Sequence, residues 1–291
     1  MRSAVSTQNN PFIAVLFSLS VLLLAGCANQ TPNMSRATTP GSTSEANDLH
    51  LGDSALNSGS LQMATSLYEK TLQSDPKSLA ATLGLANVAY RSADMERARL
   101  IYIRAEQLAP NDIEPKIGRA RVAIRQRHLD EAIEIYHQAL ALQPDSPTVA
   151  AGLGTALDLQ GHHTEAQAIY RQALLLHPDA QDVRIDLGLS LVLGQNVREG
   201  ANVLLEVANL PDAPAEARQD LALAFGLIGN TDAAKEILAR DLPPSNVNDN
   251  LRFYAAIRHA YIENPSGIPV KSPEALPATK LAPTPTTPAA P

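Results

Sequence analysis

The chain has 291 residues, 45% hydrophobic and 18% charged, with only 4% aromatics and no Trp. Its 46 Ala and 15 Gly suit closely packed helices and argue against a sandwich or barrel, whose strands favour β-branched and aromatic residues. A net charge of −7 argues against a general nucleic-acid binder, and a single Cys excludes an internal disulfide framework or a cysteine-cluster metal site.

The first predicted element is an address. Residues 1–26 hold Arg2 and then the apolar run Phe12–Leu24, 13 residues long. A bilayer span needs about 20, so the run has the length of a secretory signal core. It ends in Leu24-Ala25-Gly26-Cys27, which contains the one cysteine of the chain. This segment resembles the bacterial lipobox. The resemblance implies cleavage after Gly26 and covalent lipid on Cys27. Several acyl chains together make a stable anchor, at about 0.8 kcal/mol per buried CH₂. Ala28 follows where many inner-membrane lipoproteins carry Asp, so the resemblance implies an outer-membrane address on the periplasmic face. Residues 27–44 are rich in Ser, Thr, Asn and Pro, and they read as a flexible tether.

From Glu45 a 34-residue period runs through starts at 45, 79, 113, 147, 181 and 215. Position 8 of the repeats holds Gly52, Ala86, Ala120, Gly154, Gly188 and Ala222. Position 20 holds Ala64, Ala98, Ala132, Ala166, Gly200 and Ala234. Position 24 holds Tyr68, Tyr102, Tyr136 and Tyr170, four of the seven tyrosines, and then Leu204 and Leu238. Position 32 holds Pro76, Pro110, Pro144 and Pro178. Small residues at positions 8 and 20 allow two helices to approach closely, the tyrosine fills the space beside them, and the proline ends the second helix. Gly59, Gly161 and Gly229 at position 15 predict the turn between the helices. Arg119 departs from the pattern, at a position that ordinarily takes Leu. The columns resemble the tetratricopeptide repeat. The resemblance implies an all-α solenoid over residues 45–262, and Phe253, Ala256, Ile257, Ala260 and Tyr261 at helical spacing predict an amphipathic capping helix at its end. Residues 263–291 are rich in Pro, Thr and Ala and read as a disordered tail.

No motif in the chain carries catalysis. It lacks HExxH, GxSxG and a Walker loop, and Gly152-Leu153-Gly154 falls inside a predicted helix. His162, His163 and His177 read as solvated turn residues, so neither an enzyme nor a cofactor is expected. A solenoid binds along its concave face, which positions 2, 5, 9, 12 and 13 of the first helix should line. The expected groove is polar and basic at Asn87, Tyr90, Arg91, Glu114, Arg121 and Arg125. Further along it is apolar at Ile185, Leu189, Val192, Leu193, Leu223 and Leu227.

The stretches Gly152–Asp179, Asp186–Gln195, Asp220–Leu242 and Asn250–Arg258 are similar to the TadD lipoproteins of the tight-adherence (Flp-type) pilus assembly system. The ending Asn250-Leu251-Arg252-Phe253-Tyr254 discriminates them from generic repeats. This resemblance implies a non-catalytic assembly factor whose partner is the outer-membrane secretin. The alternatives are a type IV pilus pilotin, or a subunit of another outer-membrane assembly or export complex.

Overall fold

The computed structural model describes residues 40–263, and among them every element is a helix. Cys27, most of the predicted tether and the Pro-rich segment from 264 onward lie outside the described residues. The first helix of each repeat, helix A, is α1 (Pro40–Asn57), α3 (Leu79–Arg91), α5 (Glu114–Arg125), α7 (Pro147–Leu159), α9 (Gln181–Leu193) and α11 (Ala215–Ile228). The second, helix B, is α2 (Leu61–Ser74), α4 (Met95–Leu108), α6 (Leu129–Leu142), α8 (His163–Leu176), α10 (Val197–Ala208) and α12 (Thr231–Leu238). Every helix B begins at position 17 of its repeat. The expected all-α solenoid and its register are therefore observed. Helix α1 starts earlier than the repeat, at Pro40 rather than Glu45, so residues 40–44 of the predicted tether are helical. Proline is tolerated in a first turn, where its missing N–H has no intrahelical partner.

Local chemistry sets the ends. Ser78, Asp94, Ser146 and Asn230 each accept a backbone N–H three residues on, capping α3, α4, α7 and α12. At the other end, Asp75, Ala109, Gln143 and His177 precede the position-32 prolines and leave helical geometry, with φ between −124 and −140. The proline ring disfavours the helical region for the residue before it, so each helix B stops on the same residue of its repeat.

Packing follows the columns. Ala64, Ala98, Ala132 and Ala166 are fully buried, and so are Ala86 and Ala120. Tyr68, Tyr102, Tyr136 and Tyr170 are among the largest buried side chains. Each tyrosine lies against helix A of its own repeat and also against helix A of the next. A Cβ added at Gly52 would stand 2.7 Å from the Tyr68 ring, and one at Gly84 2.4 Å from the same ring. Gly118 and Gly152, both at position 6, receive Tyr102 and Tyr136 in the same way. Gly154 makes room for Tyr170 at position 8, and Gly188 for Leu204.

Arg119 meets Glu106 at 3.0 Å, and Lys116 meets the same carboxylate at 3.4 Å, all three largely shielded. This accounts for a cation where the repeat ordinarily has Leu. The predicted capping helix is α13 (Pro244–Glu263), which packs on α11 and α12. It occupies the place of a seventh helix A, and its Tyr254 falls at position 6. The glycine is now on the neighbouring helix, since a Cβ on Gly226 would stand 2.5 Å from the Tyr254 ring. No described helix is long and apolar enough to cross a membrane.

Candidate functional site

Positions 2, 6, 9 and 13 of helix A are spaced i, i+4, i+7 and i+11, so they form one stripe. Successive helices A place these stripes side by side. On the N-terminal repeats the face is built on Tyr90 of α3. The Arg121 guanidinium carbon lies 4.9 Å from the centre of its ring and that of Arg125 5.1 Å. Arg121 and Arg125 are one turn apart on α5, both exposed, and among the described residues neither forms an ion pair. The ring holds two guanidinium groups side by side without neutralising either, at about 0.5–1 kcal/mol per exposed contact.

Two other predicted groove residues are engaged within the chain. Asn87 accepts a 2.6 Å hydrogen bond from the Tyr102 hydroxyl. Arg91 donates to the Leu56 carbonyl near the end of α1. Burial pushes the Tyr102 and Tyr136 hydroxyls up to about 12, against the opposing pull of the Arg121 charge.

The C-terminal repeats differ from the expected apolar surface. Val192 is fully buried, so it is not a groove residue. It packs against Gly200, where a Cβ would come 2.7 Å from a Val192 methyl. Gly in place of the repeat's usual Ala brings α10 close enough to α9 to cover position 12. Ile185 is buried in the same cluster. Leu223 and Leu227 are partly buried against it. Leu189 is half-buried, and Leu193 is 41% exposed. The apolar part of the face is thus reduced chiefly to Leu189 and Leu193.

Carboxylates occupy the rest of the stripe. Position 6, Gly in repeats two to four, is Asp186 in α9 and Asp220 in α11. Position 2 carries Asp182 and Glu216. Among the described residues none of these four makes an ion pair or a hydrogen bond, and Asp220 Oδ2 is shielded from solvent without a partner. Burial, then the charges of Glu216, Asp182, Asp158 and Asp220, pushes Asp186 up to about 7. Burial and Glu216 do the same for Asp220. Asp158 differs, because it is fully engaged. His163 Nδ1 lies 2.7 Å from one oxygen, Ser190 donates to that oxygen at 2.7 Å, and Tyr170 donates to the other at 3.1 Å.

Asp186 and Asp220 were not expected because position 6 was not among the groove positions. Asp182 and Glu216 do fall at groove position 2 but were masked by the apolar residues that dominate the other groove positions of these repeats. The available signal was a column that runs Gly84, Gly118, Gly152 and then changes to Asp186 and Asp220. As for metal binding, His177 Nε2 lies 2.6 Å from the Asp145 carbonyl, and His163 serves Asp158. Among the described residues no group of three or more His, Cys, Asp or Glu is arranged to hold a metal ion.

The tetratricopeptide repeat family model matches residues 55–122 and 123–184. No curated protein sequence matches the chain. Among solved structures, a thermophilic repeat protein from Thermus thermophilus shares 20% identity over 62% of this chain and 98% of its own, with a TM-score of 0.56. The pilF protein of Pseudomonas aeruginosa shares 18% identity over 73% of this chain and 98% of its own, with a TM-score of 0.60. PilW, a widely conserved type IV pilus biogenesis factor, shares 19% identity over 67% of this chain and 91% of its own, with a TM-score of 0.59. At these identities the likeness establishes the fold.

Proposed function

We propose that this chain, a tetratricopeptide repeat protein, is a non-catalytic protein-binding scaffold that helps assemble a pilus secretion machine at the outer membrane. The observation that carries the reading is the helix A face. Two arginines seated on Tyr90 and four carboxylates on α9 and α11 have no ion-pair partner within the described chain. Charged groups so arranged, without a metal site or a catalytic constellation among them, suit recognition of another protein. The lipobox at Cys27 supports attachment to the outer membrane with the repeats facing the periplasm. The similarity of the last repeats to TadD lipoproteins supports the tight-adherence system, with its secretin as partner. The fold shared with PilW supports a second reading, a type IV pilus pilotin.

Deletion and complementation distinguish these readings. Loss of tight-adherence pili and of secretin co-purification is expected on deletion, with restoration by the full chain. Loss of type IV pili alone would favour the pilotin, and normal piliation of both kinds would overturn the assembly role. Mass spectrometry of the mature protein is expected to show a chain beginning at an acylated Cys27. Cys27→Ser is expected to release the protein from the membrane fraction.

A further inference from the structure

From α5 to α11 the helix A face carries opposite charges at its two ends. On α5, Arg121 and Arg125 occupy positions 9 and 13, fixed against Tyr90. On α9 and α11, Asp182, Asp186, Glu216 and Asp220 occupy positions 2 and 6. The two sets are unpaired within the described chain, and α7 between them offers Thr148, Gly152, Thr155 and Leu159 in the same stripe. The charges are thus segregated along the stack, with an uncharged step between. Glu114, at position 2 of α5, is the one acid of the stripe on the arginine-bearing helix.

We propose that this face takes an extended partner segment of fixed charge order, with acidic residues on Arg121 and Arg125 and basic residues on the carboxylates of α9 and α11. The proposal rests on the scaffold reading above and names the chemistry of the partner. Charge complementarity selects the occupant. Each half attracts one sign and repels the other, so a segment of uniform sign gains on one half and loses on the other. Helix spacing sets its length. Two steps of ~10 Å between helices and seven residues of helix rise, ~10 Å, give a diagonal of ~22 Å from the arginines to the α9 acids. An extended chain covers that in about seven residues. Leu189, three residues past Asp186 in the same stripe, offers apolar contact beside the acids.

The test uses the full-length protein and three synthetic peptides of identical composition. One carries an Asp/Glu block, a neutral spacer of about seven residues and a Lys block. One has the reverse order, and one alternates the charges throughout. One of the two segregated peptides is expected to bind about tenfold tighter than the alternating one, with an advantage that shrinks as salt is raised. A variant with Arg121→Glu, Arg125→Glu, Asp182→Lys and Glu216→Lys changes only exposed residues, and circular dichroism checks its fold. It makes α5 acidic and offsets the two remaining aspartates of α9 and α11 with two lysines, so the charge gradient along the face reverses, and it is expected to prefer the other segregated peptide.

Equal binding of all three peptides, or of none, overturns the proposal. So does an unchanged preference in the folded four-site variant. Carbodiimide cross-links in the free protein, from Lys271 or Lys280 to Asp182 or Glu216, would assign the acidic half to the chain's own C-terminal segment and overturn it. Cross-links joining two copies would assign the face to self-association, with the same consequence. Piliation of the deletion strain judges the scaffold reading separately. A pilus defect alongside indifferent peptides removes the charge order and leaves the scaffold standing.

Discussion

The turn between helices A and B shows what a single backbone position requires. In all six repeats the N–H of position 16 bonds to the carbonyl of position 11, as in Ser60 to Ala55 at 2.8 Å, His128 to Ala123 at 2.9 Å and Asn196 to Leu191 at 2.8 Å. That bond closes the helix end only if position 15 turns left-handed. Gly59, Gly161 and Gly229 comply at φ 81, 84 and 97, and Ala93, Arg127 and Gln195 comply at φ 62, 64 and 68. A side chain there costs on the order of 1 kcal/mol. Gly161 has open space around it, so Gly161→Ala tests the backbone alone and is expected to lower stability by about 1 kcal/mol. Arg127→Gly is expected to raise it by a few tenths, because the relieved strain exceeds the added freedom of the unfolded chain. Urea unfolding midpoints measure both. The three glycines announced this turn in the sequence. The other three turns were silent there, because the requirement lies in a hydrogen bond that the fold imposes on whatever residue occupies the position.

At the scale of the element, the contact between helices rests on how little fits between a tyrosine and its two neighbours. A Cβ on Gly118 would stand 2.1 Å from the Tyr102 ring. Gly118→Ala therefore forces the ring or the helix to shift and is expected to cost about 1–3 kcal/mol by thermal or chemical unfolding. The columns at positions 8, 20, 24 and 32 were legible because each repeats with a similar residue type. Position 6 was less so, since its partner is the tyrosine of the preceding repeat and its residue changes along the stack. That change has a pH signature. Asp186 and Asp220 are raised to about 7 in the folded protein, against about 4 for an unfolded Asp. Between these values the native state holds more protons at these two groups than the unfolded one, so their contribution to stability is fully present below about pH 4 and is lost as pH rises through about 7. Asp220→Asn is expected to flatten that fall and to raise the melting temperature at pH 8 relative to the parent, while changing little at pH 4. A parent protein equally stable at pH 5 and pH 8 would show that these carboxyls titrate as ordinary surface groups.

On the scale of the whole molecule, the repeats share one period but unequal cores. The largest apolar cluster joins α5 to α9, from Ile117 and Tyr136 through Leu153 and Tyr170 to Leu191. The far end depends on a smaller cluster of Ala222, Ala234, Leu238, Val247 and Tyr254. There α12 is only 8 residues long, and Leu238 stands where earlier repeats bury Tyr. The sequence carries the change at two positions: Asp212 stands at position 32 where the first four repeats have Pro, and Leu204 and Leu238 stand at position 24 where they have Tyr. It misjudged the surface that results, because whether Val192 is covered depends on how closely α10 approaches, a distance that only the assembled stack defines. In a solenoid each repeat is stabilised by its neighbours alone, so an end with one neighbour and a thin interface opens below the free energy of global unfolding. Hydrogen exchange followed by mass spectrometry is expected to protect the amides of α6, α7 and α8 longest and to exchange α12 and α13 first. The acids on α9 lie between these regions and Arg121 and Arg125 lie on the protected side, so loosening of the C-terminal repeats would disturb the acidic half of the face before the basic half. Uniform protection from α3 to α13 would mean that the stack unfolds as one cooperative unit, with α13 closing its end as firmly as a full repeat.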